Sequence, residues 1–244
     1  MIPNGFNNIG SKDSGGWFIV DKVPESLRVE MDDAANMLMY DMYANRPYQE
    51  DLPNFVNKQF EFTYSEEFIA YVLRVLKRYE DKIREHHALP IKHYEFDRFT
   101  TNPDVNGNTY TGENGGWVTM QDRYEFQHPH TGENTFNFMY WAKVPYSNTD
   151  LKLTSPNPKA NSGCLGTDYF IVPNNVQKIT STSNRRNPSN VQEIVELQTT
   201  SLYEGHLCII PHYLYRGCTP FYSTEEYKIT YRGEIGITKP STLI

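Results

Sequence analysis

The sequence TFNFMYWAKV, residues 135–144, decides the class of fold, because aromatic and apolar side chains follow one another there almost without a break. Such a run is typical of a β-strand. Shorter runs of the same kind recur from residue 90 onward, separated by Asn, Gly, Pro and Ser. They predict further strands at residues 91–99, 117–121, 168–172, 191–198, 206–210 and 227–237. Many short strands separated by turn residues favour an all-β sandwich or barrel.

Two amphipathic stretches before residue 90 predict helices, the first over residues 24–43 and the second from residue 68 to about 85. Apolar residues recur at spacings of three and four in both, which is the period of one helix face. Thr63 or Ser65 would cap the second helix. Helices followed by many strands predict a mainly β fold with N-terminal helices (α+β), a jelly roll with the helices packed on one sheet.

Composition excludes several classes of protein. The 244 residues carry a net charge of -7, which disfavours direct binding of nucleic acid. The longest apolar run, residues 68–73, is far shorter than the roughly 20 residues that cross a bilayer, so no membrane contact is expected. Residue 1 is not followed by a secretory leader pattern. The three cysteines lack the close spacing of a zinc or redox motif, so reduced thiols in an intracellular product are expected.

The chain is expected to form one domain over residues 1–244. Residues 24–89 would provide helical support and residues 90–237 the β core. The ends, residues 1–16 and 240–244, are expected to be extended arms that contact neighbouring subunits. Under this interpretation residues 1–16 lie away from the barrel, and Phe6 makes few contacts within the chain.

One pair of histidines has the spacing of metal ligands, His128 and His130 in His-Pro-His. Residues two apart in an extended segment point to one side, so both imidazoles could face one divalent ion. The alternative is that they are ordinary surface or packed histidines, and the pair alone leaves both interpretations open.

Three longer segments carry a resemblance to a known family: GWVTMQDRYEFQHPHTG at 116–132, FNFMYWAKVP at 136–145 and GHLCIIPHYLYRGCTPF at 205–221. They resemble the Fe(II)/2-oxoglutarate-dependent oxygenase proteins of tailed bacteriophages. The resemblance covers about residues 57–233. It implies a double-stranded β-helix, which belongs to the jelly-roll class.

The resemblance also implies where an iron site would lie. The family uses a first histidine, a carboxylate two residues later, a distal histidine and a basic residue that pairs with the co-substrate. Here these positions fall on His130, Gly132, Arg216 and Lys228. A guanidinium has no lone pair for a metal and its charge repels Fe(II). The resemblance therefore implies that the iron site has been lost.

Other ligand sets remain open at this point. His128 and His130 could bind a metal together with His212, as in a cupin-like module. The His-x-Gly pattern at His130 also matches the family's halogenase branch, and Glu133 could supply a carboxylate. Arg216 and Lys228 could bind an anion, 2-oxoglutarate or a partner's carboxylate, or could form internal salt bridges. Cys208 and Cys218 are expected to be buried and unreactive.

The predicted function is that of a catalytically eroded oxygenase-like jelly roll, a structural or binding module of a phage virion. No cofactor is expected. Its partners would be other protein subunits of an assembly, and it would pass from the host cytoplasm to the virion. The alternative is an active Fe(II)/2-oxoglutarate-dependent oxygenase that hydroxylates a protein or nucleotide.

Overall fold

The computed structural model describes residues 2–9, 16–40, 56, 58–86, 115–131, 135–147, 166–173 and 191–236. In these parts of the chain the helices are α1 (Glu25–Tyr40), α2 (Glu66–Arg78) and α3 (Glu80–His86). The strands are β1 (Gly5–Ile9), β2 (Gly16–Lys22), β3 (Gln59–Thr63), β4 (Gly115–Gln121), β5 (Gln127–His130), β6 (Phe136–Lys143), β7 (Asp168–Pro173), β8 (Val191–Leu197), β9 (His206–Pro211), β10 (Tyr215–Cys218) and β11 (Lys228–Ile235).

The described strands form two antiparallel sheets. The large sheet has seven strands in the order β1-β2-β9-β6-β11-β4-β3, and the small sheet has four in the order β5-β10-β7-β8. From β4 onward the described strands alternate between the two sheets, except that the consecutive strands β7 and β8 lie in the same sheet. The mainly β class with N-terminal helices is therefore confirmed.

Two apolar cores lie on opposite faces of the large sheet. On one face the three helices pack against alternate residues of β6, namely Phe136, Phe138 and Tyr140. The intervening residues Met139 and Trp141 pack toward the small sheet. Burial on both faces explains why residues 135–144 lack the polar alternation of a surface strand. The helices pack on one sheet, as the sequence predicts.

The second predicted helix is interrupted at Tyr79. The backbone N–H of Tyr79 donates to the carbonyl of Leu76, three residues back, with φ -109° and ψ 14°, which ends α2. A new helix, α3, begins at Glu80, and the side chain of Glu80 pairs with both Lys77 and Arg84 across the break. The apolar stripe continues through the break, so the interruption is invisible to periodicity.

The prediction that residues 1–16 form an arm away from the barrel is wrong for the described residues of that segment, 2–9 and 16. Residues 5–9 form β1, which pairs with β2, and β2 pairs with β9 in the large sheet. The Phe6 ring stacks on Trp17 with 5.3 Å between ring centroids, and Ile9 is buried. The apolar run WFIV in β2 supplies a partner for the polar β1, whose strand character comes from pairing and not from its own composition.

Two further segments differ from the sequence interpretation. Residues 24–89 are not purely helical, because they contribute β3 to one edge of the large sheet. Short strands β5 and β10 were not predicted either, and both border the candidate site. The predicted strand 91–99 and the C-terminal arm 240–244 lie outside the described residues. No described helix is long and apolar enough to cross a membrane.

Candidate functional site: a buried cationic cluster between the sheets

Two basic residues of β11 lie between the sheets. Lys228 and Arg232 are four residues apart in an extended strand, so both belong to the face of β11 that points to the small sheet. Both are almost fully buried. A buried charge is stable only with a partner, so the partners of these two side chains determine what the interior can do.

Lys228 is neutralised by an acidic residue of the small sheet. Its Nζ donates to Oδ2 of Asp168 at 2.7 Å and lies 3.3 Å from Oγ1 of Thr199. Nε1 of Trp141 donates to the same carboxylate oxygen at 2.8 Å. Burial disfavours the ammonium ion, but Asp168 outweighs it and the pKa of Lys228 lies well above its usual range. The sequence left open whether Lys228 binds an anion or forms an internal salt bridge, and the structure shows the salt bridge.

Arg216 lies directly beside His130. The strands β10 and β5 pair with these two residues opposite each other, and Nε of Arg216 donates to Nε2 of His130 at 3.3 Å. Nδ1 of His130 is 2.9 Å from the carbonyl oxygen of His128. A neutral imidazole satisfies both contacts when its proton is on Nδ1, because Nε2 then accepts and Nδ1 donates.

A second guanidinium, that of Arg232, completes the cluster. Its Nη1 donates to Oε1 of Gln127, the first residue of β5. The Arg216 guanidinium carbon lies 5.8 Å from the centre of the Trp117 ring, a residue that pairs with Arg232 across β4 and β11. Burial and Arg232 lower the pKa of Arg216 to about 10, while Glu234 opposes them, so Arg216 is cationic at neutral pH.

The sequence interpretation missed Arg232 and Asp168. Arg232 could have been found, because the period of two along β11 places it on the same face as Lys228. Asp168 could not, because nothing in the sequence pairs it with a lysine 60 residues later. Lys228 and Arg216 are therefore not a basic pair of one pocket, since Lys228 pairs with Asp168 and the neighbour of Arg216 is Arg232.

The structure does not bring His128, His130 and His212 together as a metal site. His128 is exposed and its ring packs on Phe126, whereas the His212 ring contacts the carbonyl of Thr135. The prediction that His128 and His130 share a side is wrong, because the pairing of β5 with β10 is irregular. Gln127 pairs with Cys218 and His130 pairs with Arg216, so β5 has one residue more than β10 between these two pairs. This extra residue turns His128 away from the interior.

No group of three His, Cys, Asp or Glu side chains among the described residues is placed to hold a metal ion. Gly132 and Glu133, which the sequence interpretation considered for the carboxylate position, lie outside the described residues. An iron triad does not fit the residues that are described. The ring nitrogen of His130 that would face a metal accepts from Arg216, and the expected distal position holds a cation.

The two described cysteines are buried and free, as expected. Burial raises the pKa of both the Cys208 and the Cys218 thiol, so neither is poised as a thiolate nucleophile. The Cys218 thiol donates to Oε1 of Gln121 at 3.5 Å, within the interior between the sheets. Their environment is that of packed side chains and supports no chemistry of their own.

We expect His130 to stay neutral, with its proton on Nδ1, from pH 8 down to about pH 4. Burial, Arg216 and Arg232 lower its pKa to about 3. The unfolded chain takes up the proton near pH 6.5, so the stabilising contribution of neutral His130 is lost as the pH falls from about 6.5 towards 3. Long-range ¹H–¹⁵N spectra of the imidazole would show this.

The imidazole signal of His130 is assigned as the one that is absent from the spectrum of His130→Gln. The glutamine side-chain oxygen keeps an acceptor for Arg216. This variant should lose less stability than the natural chain between pH 7 and pH 4.5. An imidazole signal of His130 that titrates near pH 6.5 would contradict its position beside Arg216.

No family model matches the sequence, and no curated protein matches it. Among solved structures, the chain is similar to a crystal structure of a prolyl-4-hydroxylase from Pseudomonas putida. The identity is 8% and the TM-score 0.47, over 90% of this chain and 91% of that chain. Likeness of fold does not by itself assign a function.

Proposed function

We propose that the chain is a double-stranded β-helix domain of the oxygenase-like class that has lost its iron site and acts as a non-catalytic structural or binding module. The strand order supports the fold, because β4 to β11 contribute four strands to each of the two sheets. In this proposal β1, β2 and the helices extend the same single domain. The loss of iron chemistry rests on the side chains between the sheets.

One observation carries the proposal: Nε of Arg216 lies 3.3 Å from Nε2 of His130. In the family that the sequence resembles, these two positions hold the distal and the first histidine. Here a fixed cation occupies the distal position and its N–H uses the lone pair that a metal would need. Burial keeps the guanidinium in place, because Arg216 is only 2% exposed.

The co-substrate position supports the same conclusion. The basic residue at that position, Lys228, would have to pair with the far carboxylate of 2-oxoglutarate. Its ammonium group already pairs with Asp168, and both side chains are 1% exposed. A dicarboxylate would have to break this buried pair, leaving the charge of Asp168 without a partner.

We propose other protein subunits of an assembly, such as a phage virion, as the partners. The resemblance to phage proteins and the abundance of Tyr and Phe motivate this setting. Helix α1 exposes Val29, Met37 and Tyr40, with 51%, 72% and 95% of their surface accessible. Met and Tyr, the two most exposed of these residues, belong to the types enriched where subunits meet. Synthesis in the host cytoplasm followed by incorporation into the virion is part of the same proposal.

We expect the purified protein to bind Fe(II) no better than a variant that lacks the His130 imidazole. Anaerobic titration of the full chain, prepared without chelator, should show no stoichiometric site. His130→Ala should leave the titration curve unchanged, because the imidazole lone pair is engaged by Arg216. His128→Ala is the matched control, since His128 is exposed and faces away from the cluster.

A stoichiometric Fe(II) site that is lost in His130→Ala but kept in His128→Ala would overturn the proposal. That result would restore the active oxygenase. A site lost in both variants would instead favour a different metal centre that uses the His-Pro-His segment.

A further inference from the structure

The interior around Arg216 contains several polar atoms that lack a partner. Within the described part of the chain, Nη1 of Arg216, Nε of Arg232 and Oγ1 of Thr119 are buried and make no hydrogen bond. The side-chain amide of Asn137 is also buried without a partner. Strand alternation places Thr119, Asn137 and Arg232 on the same face of the large sheet. Buried polar atoms without partners are rare, so a cluster of them points to a bound group.

In the part of the chain that the structure describes, the same region has an excess of positive charge. Arg216 and Arg232 are 2% and 3% exposed, and neither is within 4 Å of a carboxylate of the described residues. Their neighbours His130, Gln127 and Trp117 carry no negative charge. Among the described residues, Glu234 is the acidic group that acts on Arg216, and it is only half-buried. Of the described acidic groups, this partly exposed carboxylate alone offsets the two buried cations, whose burial is unfavourable, so a bound anion would stabilise them.

The charge and the geometry define the ligand class. We propose that Arg216 and Arg232, with Thr119 on the same face of the large sheet as Arg232, bind a small tetrahedral dianion of the sulfate or phosphate kind between the sheets. A dianion neutralises both guanidinium groups, whereas a monovalent ion leaves one charge uncompensated. Directed N–H and O–H donors suit the several oxygens of such an ion. Complete burial of both arginines favours a free inorganic ion over a phosphoryl group carried by a macromolecule.

This inference deepens the proposed function, because it assigns a ligand to the position where the family would hold iron. It depends on Arg216 and Arg232 being cationic and on the buried N–H groups, Nη1 of Arg216 and Nε of Arg232, that make no hydrogen bond. It does not depend on the partner subunits proposed above.

The experiment uses the full chain with inorganic sulfate as the probe. Equilibrium dialysis with labelled sulfate should give one bound ion per chain. Sulfate should also raise the melting temperature more than sodium chloride of equal ionic strength does. Arg216→Gln and Arg232→Gln should each weaken sulfate binding by about 10- to 100-fold, the effect of losing one charge-assisted hydrogen bond.

Arg123→Gln is the matched control. Arg123 forms an exposed ion pair with Glu225 at 3.0 Å, so the same change of charge is made at the surface and not in the interior. Sulfate also stabilises proteins generally by exclusion from their surface, and this effect is common to all variants. The control should therefore keep the sulfate response of the natural chain, and inorganic phosphate should reproduce it.

Two results would overturn the anion site. One is the absence of bound sulfate and of bound phosphate in dialysis of the natural chain. The other is a melting shift of Arg216→Gln equal to that of the natural chain, which would mean surface exclusion only. Both outcomes are distinct from failure of the proposed function, which is decided by Fe(II) binding and its loss in His130→Ala.

Discussion

Lys228→Met should lower the free energy of unfolding by about 3–5 kcal/mol, the loss typical when one partner of a buried ion pair is removed. The carboxylate of Asp168 would remain between the sheets with Trp141 as its one hydrogen-bond donor among the described residues. Chemical denaturation at pH 7, monitored by tryptophan fluorescence, measures this change.

A second substitution, at Asp168, shows how much of the stability lost in Lys228→Met comes from the unpaired carboxylate and how much from the lost packing of the lysine side chain. Lys228→Met combined with Asp168→Asn removes both charges and keeps an acceptor for Nε1 of Trp141, so much of the lost stability should return. Lys143→Met is the matched control, because Lys143 pairs with Glu226 at the exposed surface. It should cost less than about 1 kcal/mol. Equal losses in Lys228→Met and Lys143→Met would contradict the buried pair.

The strands that could be predicted are those whose own composition requires burial. Residues 135–144 are apolar on both faces, and the structure places a core on each side of β6. The short strands β1, β5 and β10 carry Asn, Gly, His or Pro and have no such pattern. Their extended conformation comes from pairing with neighbours that are distant in the sequence, which local patterns do not contain.

The candidate site also has features that the sequence could predict and others that it could not. The resemblance puts His130 and Arg216 at the first and the distal ligand positions of one site, and the strand register places these two residues opposite each other. The irregular register of β5, which turns His128 outward, leaves no mark on the sequence His-Pro-His. The pairing of Lys228 with Asp168 and the approach of Arg232 to Arg216 depend on how the two sheets face each other. Such contacts follow from tertiary packing and not from spacing along the chain.

Replacing Arg216 with His and Gly132 with Asp should create an Fe(II) site that neither single variant has. Arg216→His removes the cation and places a second imidazole opposite His130 on the neighbouring strand. Gly132→Asp supplies the carboxylate at the position that the family pattern requires. Anaerobic titration with Fe(II) should show one site per chain. The gain over either single variant should exceed the roughly 10- to 100-fold that outer-shell changes produce, because a direct ligand contributes more.

Arg216→Gln combined with Gly132→Asp is the matched control for this repair. It removes the same charge and adds the same carboxylate but provides no second imidazole, so it should bind Fe(II) much more weakly. Adding Arg232→Gln to the repaired chain should strengthen binding further, because a remaining guanidinium beside the site repels the metal. If the repaired chain folds and yet binds no better than the control, Arg216 does not occupy the distal ligand position. The buried cationic cluster would then be an original feature of this interior and not the remnant of an iron centre.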